Sequence, residues 1–263
     1  MCIRDRVKIE MTNHPLPRTN QQLQINNTIS GSFAGYIFSI ALAFKFASII
    51  SFIVKERVDR SKYQQLVSGM SINAYWASNL VYDFIIYMIV AILAIVIAKV
   101  LEVGSLTDGD AFGALWLLFI FYGLSYISFT YIVGFYYRDY GTAQASYYFI
   151  TLVVGGLLPI LTLLLRIISD SSNGVGRGLA WILRLHPAFC FGEGLINIGS
   201  RNLYGIRENN SVALSVFHLE VALAPILFLV VGSLLFFLLL LAIESCMKKE
   251  SCARCCSGGE VDV

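Results

Sequence analysis

Four cations, Lys55, Arg57, Arg60 and Lys62, fall within eight consecutive positions of this 263-residue chain, with Glu56 and Asp59 between them. This is the densest charge in the sequence, and its chemistry is electrostatic: such groups meet acids or phosphates and pair with carboxylates. Glu56 and Arg60, four apart, suit a pair along one helix face. Downstream, Leu66, Val67, Met70 and Ile72 set apolar groups around Ser68-Gly69. That pattern predicts a short amphipathic helix that lies along a membrane surface and then turns into it.

Catalytic constellations are missing from the rest of the chain. It has no G-x-x-x-x-G-K-[ST] run and not even a Gly-Lys dipeptide, so nothing in it cradles ATP phosphates as a P-loop does. Ser257-Gly258-Gly259-Glu260 is no substitute without one. His14, His186 and His218 do not form H-E-x-x-H, and no serine sits in a G-x-S-x-G elbow. Of six cysteines, Cys246, Cys252, Cys255 and Cys256 crowd the last eighteen residues, a layout unlike a secreted disulfide framework. Beside a membrane these four are lipidation candidates, or they remain reduced thiols. A metal is not expected, because no histidine or second cysteine pair completes a tetrahedral set. The net charge of +2 is too small for a nucleic-acid binder.

These residues must be positioned by membrane spans. The chain is 57% hydrophobic and only 14% charged, far from a soluble domain with about a quarter of its residues charged. The pattern predicts an all-α integral membrane protein, a polytopic bundle of about five spans at 31–54, 73–100, 111–135, 144–168 and 219–243. Residues 1–30 are polar and lack the apolar core of a cleavable signal; they read as the end of an extracellular region, 31–244 as the membrane domain and 245–263 as a cytosolic Cys-rich tail. The cations of the first connector place it on the cytosolic side. The segment 179–197 is apolar but interrupted by Arg184, His186, Pro187 and Glu193, which predicts re-entrant helices broken at Pro187 rather than a span. That reading leaves the sequons at Asn26 and Asn209 outside, as glycosylation candidates, and Lys248 and Lys249 inside.

Within the spans, Lys45 and Asp83 are the intramembrane charges. Because a charge at bilayer depth is costly, Lys45 is expected to face a cavity or the headgroups, to snorkel, or to pair with a neighbouring span, and Asp83 to contact a neighbouring helix or the translocation path or to make a structural hydrogen bond. Gly31 and Gly35 have the spacing of a close helix crossing. Gly155, Gly156 and Pro159 predict a kink or local unwinding in the fourth span. Arg166 suits snorkelling to the surface, and Glu244 marks the inner boundary of the last span.

Three stretches carry a family resemblance. "VKERVDRSKYQQLVSGMSINAYWASNLVYD" at 54–83, "TNHPLPRT" at 12–19 and "LHPAFCFGEGLINI" at 185–198 resemble, in the same order, the membrane domain of ABC transporters of subfamily A, the lipid exporters. The resemblance implies a coupling helix in the first connector that contacts a nucleotide-binding domain, with Lys55, Glu56, Arg57, Lys62, Gln64, Ser68 and Gly69 as the coupling residues. It also implies membrane lipids as substrate, a second transmembrane half as partner, and short extracellular or re-entrant helices around His186, Pro187 and Glu193. ATP and Mg would be used by the nucleotide-binding domain, expected downstream, with a further span and a large extracellular domain expected upstream. The chain departs from the family at Lys45, usually apolar, and at Phe46, usually proline, so no role is carried over for Lys45. Two other classes remain: a permease of the same architecture for a drug or polysaccharide, and a channel or structural membrane protein that ATP does not drive.

Overall fold

A computed structural model describes residues 19–107, 109–168, 170–207 and 215–256, and among these every regular element is helical. Five helices are long and apolar enough to cross a membrane, and the chain is an integral multi-pass membrane protein. The first, α1 (Asn20–Val58), starts well before the expected span. Thr19 and Gln22 form a reciprocal capping box there, so the helix nucleates at Asn20 and takes the sequon at Asn26 into its early turns. It stops at Val58 because Arg60 adopts a left-handed backbone (φ 59°).

The connector follows as α2 (Ser61–Val67), seven residues ending before Gly69, whose φ of +103° only glycine adopts readily. Ser71 then caps α3 (Ile72–Val100) by accepting from the Ala74 amide. After the short α4 (Gly104–Thr107), α5 (Asp110–Gly134) returns the chain to the connector end of the bundle. Asp139 accepts from the Thr142 amide and opens α6 (Tyr140–Leu152), and that amide holds its carboxyl below the usual carboxylate range. One π turn, Val153–Leu157, occupies the expected Gly155-Gly156 irregularity before α7 (Leu158–Ile168), so the fourth span is a single interrupted helix.

The segment after it forms two helices, α8 (Asp170–Leu183) and α9 (Pro187–Arg207), which extend beyond the predicted 179–197 on both sides. The break falls at 184–186, and Pro187 occupies the first position of α9, where a missing N–H leaves no bond unmade. The last span is α10 (Ala224–Cys256), preceded by a π turn at Leu219–Leu223. No structural boundary separates a span ending at 243 from a tail starting at 245. The helix runs on through both, since no proline or glycine interrupts residues 233–256.

Burial explains the arrangement. On α3 and α10 a stripe of isoleucine, valine and leucine faces outward, as lipid-facing helices require, whereas residues 187–200 of α9 are all buried. Thus α9 is the central post, and α1 packs along it. Their crossing is tight: a Cβ on Gly199 would lie 2.6 Å from the Gly31 carbonyl carbon, and one on Gly35 would lie 2.9 Å from Leu195 Cβ. The Gly31/Gly35 pair therefore serves contact with α9, where small residues allow close packing. Deeper in, Phe46, Tyr87, Tyr122, Tyr126 and Phe191 form a continuous aromatic core, with Tyr122 and Phe191 stacked at 4.1 Å. Replacing Gly199→Leu is expected to destabilise the domain by about 1–3 kcal/mol or more through overpacking. Gly113→Ala, with nothing within 4 Å of the added carbon, should leave the Tm in detergent unchanged. A Gly199→Leu chain that melts with the unaltered one would contradict this crossing.

Candidate functional site

The connector is fastened to the bundle at three points, each by a side chain from its charged run. Glu56, on the last turns of α1, accepts a 2.6 Å hydrogen bond from the Tyr75 hydroxyl. Arg57 donates to the backbone carbonyl of Tyr137, in the turn after α5. Lys62 of α2 reaches Glu244, near the end of the apolar stretch of α10, with Nζ 2.8 Å from Oε1, across 182 residues of sequence. The ammonium is also roofed by rings, 4.7 Å from the centroid of Trp76, 5.4 Å from Tyr75 and 5.6 Å from Phe135.

Lys62 is only 6% exposed and Glu244 8%, so this is a buried ion pair. Removing one partner from such a pair costs about 3–5 kcal/mol, because the other charge is left in a poorly solvated place. Helix α2 alone is too short to be stable, and its position therefore depends on this anchor. Glu56 and Arg60 do not pair as expected: Arg60 stands outside the helix in its left-handed conformation, and the Glu56 carboxylate turns to Tyr75.

Among the predicted coupling residues, a division emerges. Glu56, Arg57 and Lys62 face the bundle, whereas Lys55, Gln64, Ser68 and Gly69 lie on the exposed face beside Tyr63 and Val67, the last 89% exposed. From Lys62 a contiguous path runs inward. Trp76 packs on Tyr131 with centroids 5.1 Å apart, and the Tyr131 hydroxyl donates to Asp83 at 2.6 Å. Asp83 thus meets a neighbouring helix. Lys45 is half-buried on α1.

A second buried charge cluster lies on the re-entrant pair. Glu193 receives Arg184 through both oxygens, at 2.7 and 2.8 Å, and Arg166 from α7 at 2.9 Å. All three residues are at most 6% exposed. Arg166 therefore does not snorkel to the surface: α8 covers it, with Gly176 packed on its stem. His186, in the break, lies 4.9 Å from Phe129, in the half of α5 nearer the connector. The turn at 184–186 thus reaches past the middle of the bundle, so His186 and Pro187 sit inside it rather than at an outer surface.

Other predicted sites divide by position. Asn26 is exposed on α1, but Thr28 of its sequon is buried. Cys246 is an exposed free thiol on α10, and Cys252, Cys255 and Cys256 lie on the final turns of the same helix, with side chains outside the described residues. Asn209 lies outside the described residues. Among the described residues no group of His, Cys, Asp or Glu is arranged to hold a metal ion. Residue reasoning missed Glu244 and Arg166 as ion-pair partners. The available signal was complementarity, an acid at the end of one span facing a connector rich in cations.

The sequence profile described as ABC-2 family transporter protein matches residues 4–242. The chain is 30% identical to ATP-binding cassette sub-family A member 7 of Rattus norvegicus over 201 residues, covering 74% of this chain and 9% of that protein. It is 30% identical to the Phospholipid-transporting ATPase ABCA7 of Homo sapiens over 195 residues (72% and 9%). It is 25% identical to the Glucosylceramide transporter ABCA12 of Mus musculus over 259 residues (92% and 10%). The chain spans about a tenth of the length of these relatives.

Glu193→Gln should leave two buried guanidiniums without a counter-charge and destabilise the domain by about 3–5 kcal/mol. Thermal unfolding in detergent reads this as a large drop in Tm, with Glu193→Asp intermediate. A neutral Glu193→Gln would mean that the cluster is hydrated or otherwise compensated.

Proposed function

Because this chain belongs to the ABC-2 transporter family, as a homologue of its subfamily A lipid transporters, we propose that it is a transmembrane half through which ATP hydrolysis drives lipid movement. The hydrolysis itself would occur in a nucleotide-binding domain that uses ATP and Mg, and the working transporter would pair two such transmembrane halves. Lipid as the cargo is supported by the relatives named for phospholipid and for glucosylceramide.

The observation that carries this reading is the Lys62–Glu244 anchor. A coupling element must present one face to its partner while gripping the spans with the other. Here Lys55, Tyr63, Gln64, Val67, Ser68 and Gly69 form the presented face, and Glu56, Arg57 and Lys62 the grip. The positive charge of the connector puts it on the cytosolic side, where a nucleotide-binding domain sits. A push on α2 reaches α10 directly through Lys62, α3 through Glu56 and Tyr75, and the turn after α5 through Arg57. A bias of a few kcal/mol at such a node is enough to shift a two-state domain. Lipid moved by that shift would pass beside the re-entrant helices, whose buried charges hold α7 and α9 together. On this reading 1–30 closes an extracellular region, 31–244 forms the membrane domain and 245–263 is cytosolic, with its four cysteines available for lipidation and Asn26 and Asn209 for glycosylation.

In the complete protein reconstituted into liposomes, Glu56→Ala and Arg57→Ala are each expected to lower ATP-dependent lipid movement by about tenfold or more, in line with coupling energies of ~1–3 kcal/mol. Membrane insertion should be unchanged in both. Undiminished transport by either variant would remove the connector from the coupling path.

A further inference from the structure

Beneath α2 lies a groove of about 800 Å³, lined by Arg57, Lys62, Leu66, Met70, Phe135 and Glu244 among others. It is not spent by the contacts that fasten the connector. Lys62 is fully engaged by Glu244 and three rings, but Arg57 gives only one of its five N–H donors a partner, at Tyr137. Glu244 is the complementary case. Its Oε1 meets Lys62, whereas Oε2 is buried with no hydrogen-bond partner, a costly condition for a carboxylate oxygen. The same groove therefore offers unused donors at Arg57 and an unused acceptor at Glu244. Its other walls mix polar Ser71, Asn73 and Ser245 with an apolar rim in which Met70 is exposed and Ile72 and Leu66 are half-buried, at the end of the bundle where α3 enters the membrane.

We propose that this groove binds a phospholipid whose headgroup carries a primary ammonium, with the phosphate on Arg57, the ammonium on Glu244 and the acyl chains along Leu66, Met70 and Ile72. Each part of the ligand answers one observation. Phosphate matches a guanidinium with donors to spare, and the ammonium supplies the N–H that Oε2 lacks. Acyl chains cover an apolar rim that water would otherwise wet. A trimethylammonium headgroup has the same net charge and similar size, yet has no N–H to give. Selectivity between the two therefore isolates the contact to Glu244. The inference rests on the proposed function only for its orientation, which places the groove in the cytosolic leaflet, and it requires neither ATP nor that the bound lipid be the cargo.

The test is native mass spectrometry of this chain in detergent, without nucleotide, titrated with phosphatidylethanolamine, phosphatidylcholine or the chain-free headgroup glycerophosphoethanolamine. Phosphatidylethanolamine should be retained at about tenfold lower concentration than phosphatidylcholine, the ratio expected of one hydrogen bond between charged groups. Glycerophosphoethanolamine should not displace it. Glu244→Gln should bring the two lipids within about twofold of each other, as a neutral acceptor forms a weaker bond. Met70→Glu, on the exposed rim and free of folding contacts to the ion pair, should weaken retention of both. Equal retention of the two lipids by the unaltered chain would overturn the proposal, as would a preference that survives Glu244→Gln. Displacement by the chain-free headgroup would show that the ligand is not drawn from the bilayer. Retention of neither lipid would leave a protein surface as the occupant. Because no nucleotide or partner is present, failure of the coupling reading leaves these outcomes unaffected.

Discussion

A lysine ammonium sealed under Trp76, Tyr75 and Phe135 and held 2.8 Å from a glutamate near the end of the last span is the contact on which the connector depends. Helix α2 has seven residues, is entered through a left-handed Arg60 and is left through a positive-φ Gly69, so its own backbone bonds confer little stability. Its placement comes from Lys62. That ion pair joins residues 182 apart, and it ties the connector to a helix at the other end of the sequence. Because Trp76 also packs on Tyr131, which donates to Asp83, the same node is continuous with the polar contact inside the bundle.

Away from the connector, the bundle is organised around α9 rather than around any of the spans. That helix is buried along residues 187–200, crosses α1 at glycine distance, and carries the glutamate that gathers Arg166 and Arg184. In a low-dielectric interior such a cluster incurs a desolvation cost that only close pairing of its charges offsets. It fixes here how α7, the α8–α9 turn and α9 meet. The two charge clusters therefore divide the work: Glu193 holds the re-entrant pair in the bundle, and Glu244 holds α2 to it.

Much of the fold was legible in the sequence because spans announce themselves by length and apolarity. The π turn at Gly155-Gly156 and the break before Pro187 were also legible, since glycine and proline act locally. What escaped was long-range. Nothing near Glu244 in sequence reveals that its partner is Lys62, and nothing near Arg166 reveals Glu193, because buried ion pairs are chosen by three-dimensional packing. The start of α1 escaped for a different reason. The capping box at Thr19 and Gln22 starts the helix, whereas hydropathy reports where a membrane begins and not where a helix does. The division of the connector into an anchored and a presented face depended on the unexpected turn at Arg60, which a helical reading of 55–62 does not anticipate.

If the Lys62–Glu244 contact transmits a stroke, α2 and the Glu244 turn of α10 move as one body. Spin labels at Gln64 and Ser245 in the complete protein, with their separation measured by double electron–electron resonance with and without ATP, should then report a distance that stays fixed across nucleotide states while the bundle changes shape around it. A nucleotide-dependent change in the Gln64–Ser245 distance would mean that the Lys62–Glu244 contact opens during the cycle and does not transmit the stroke.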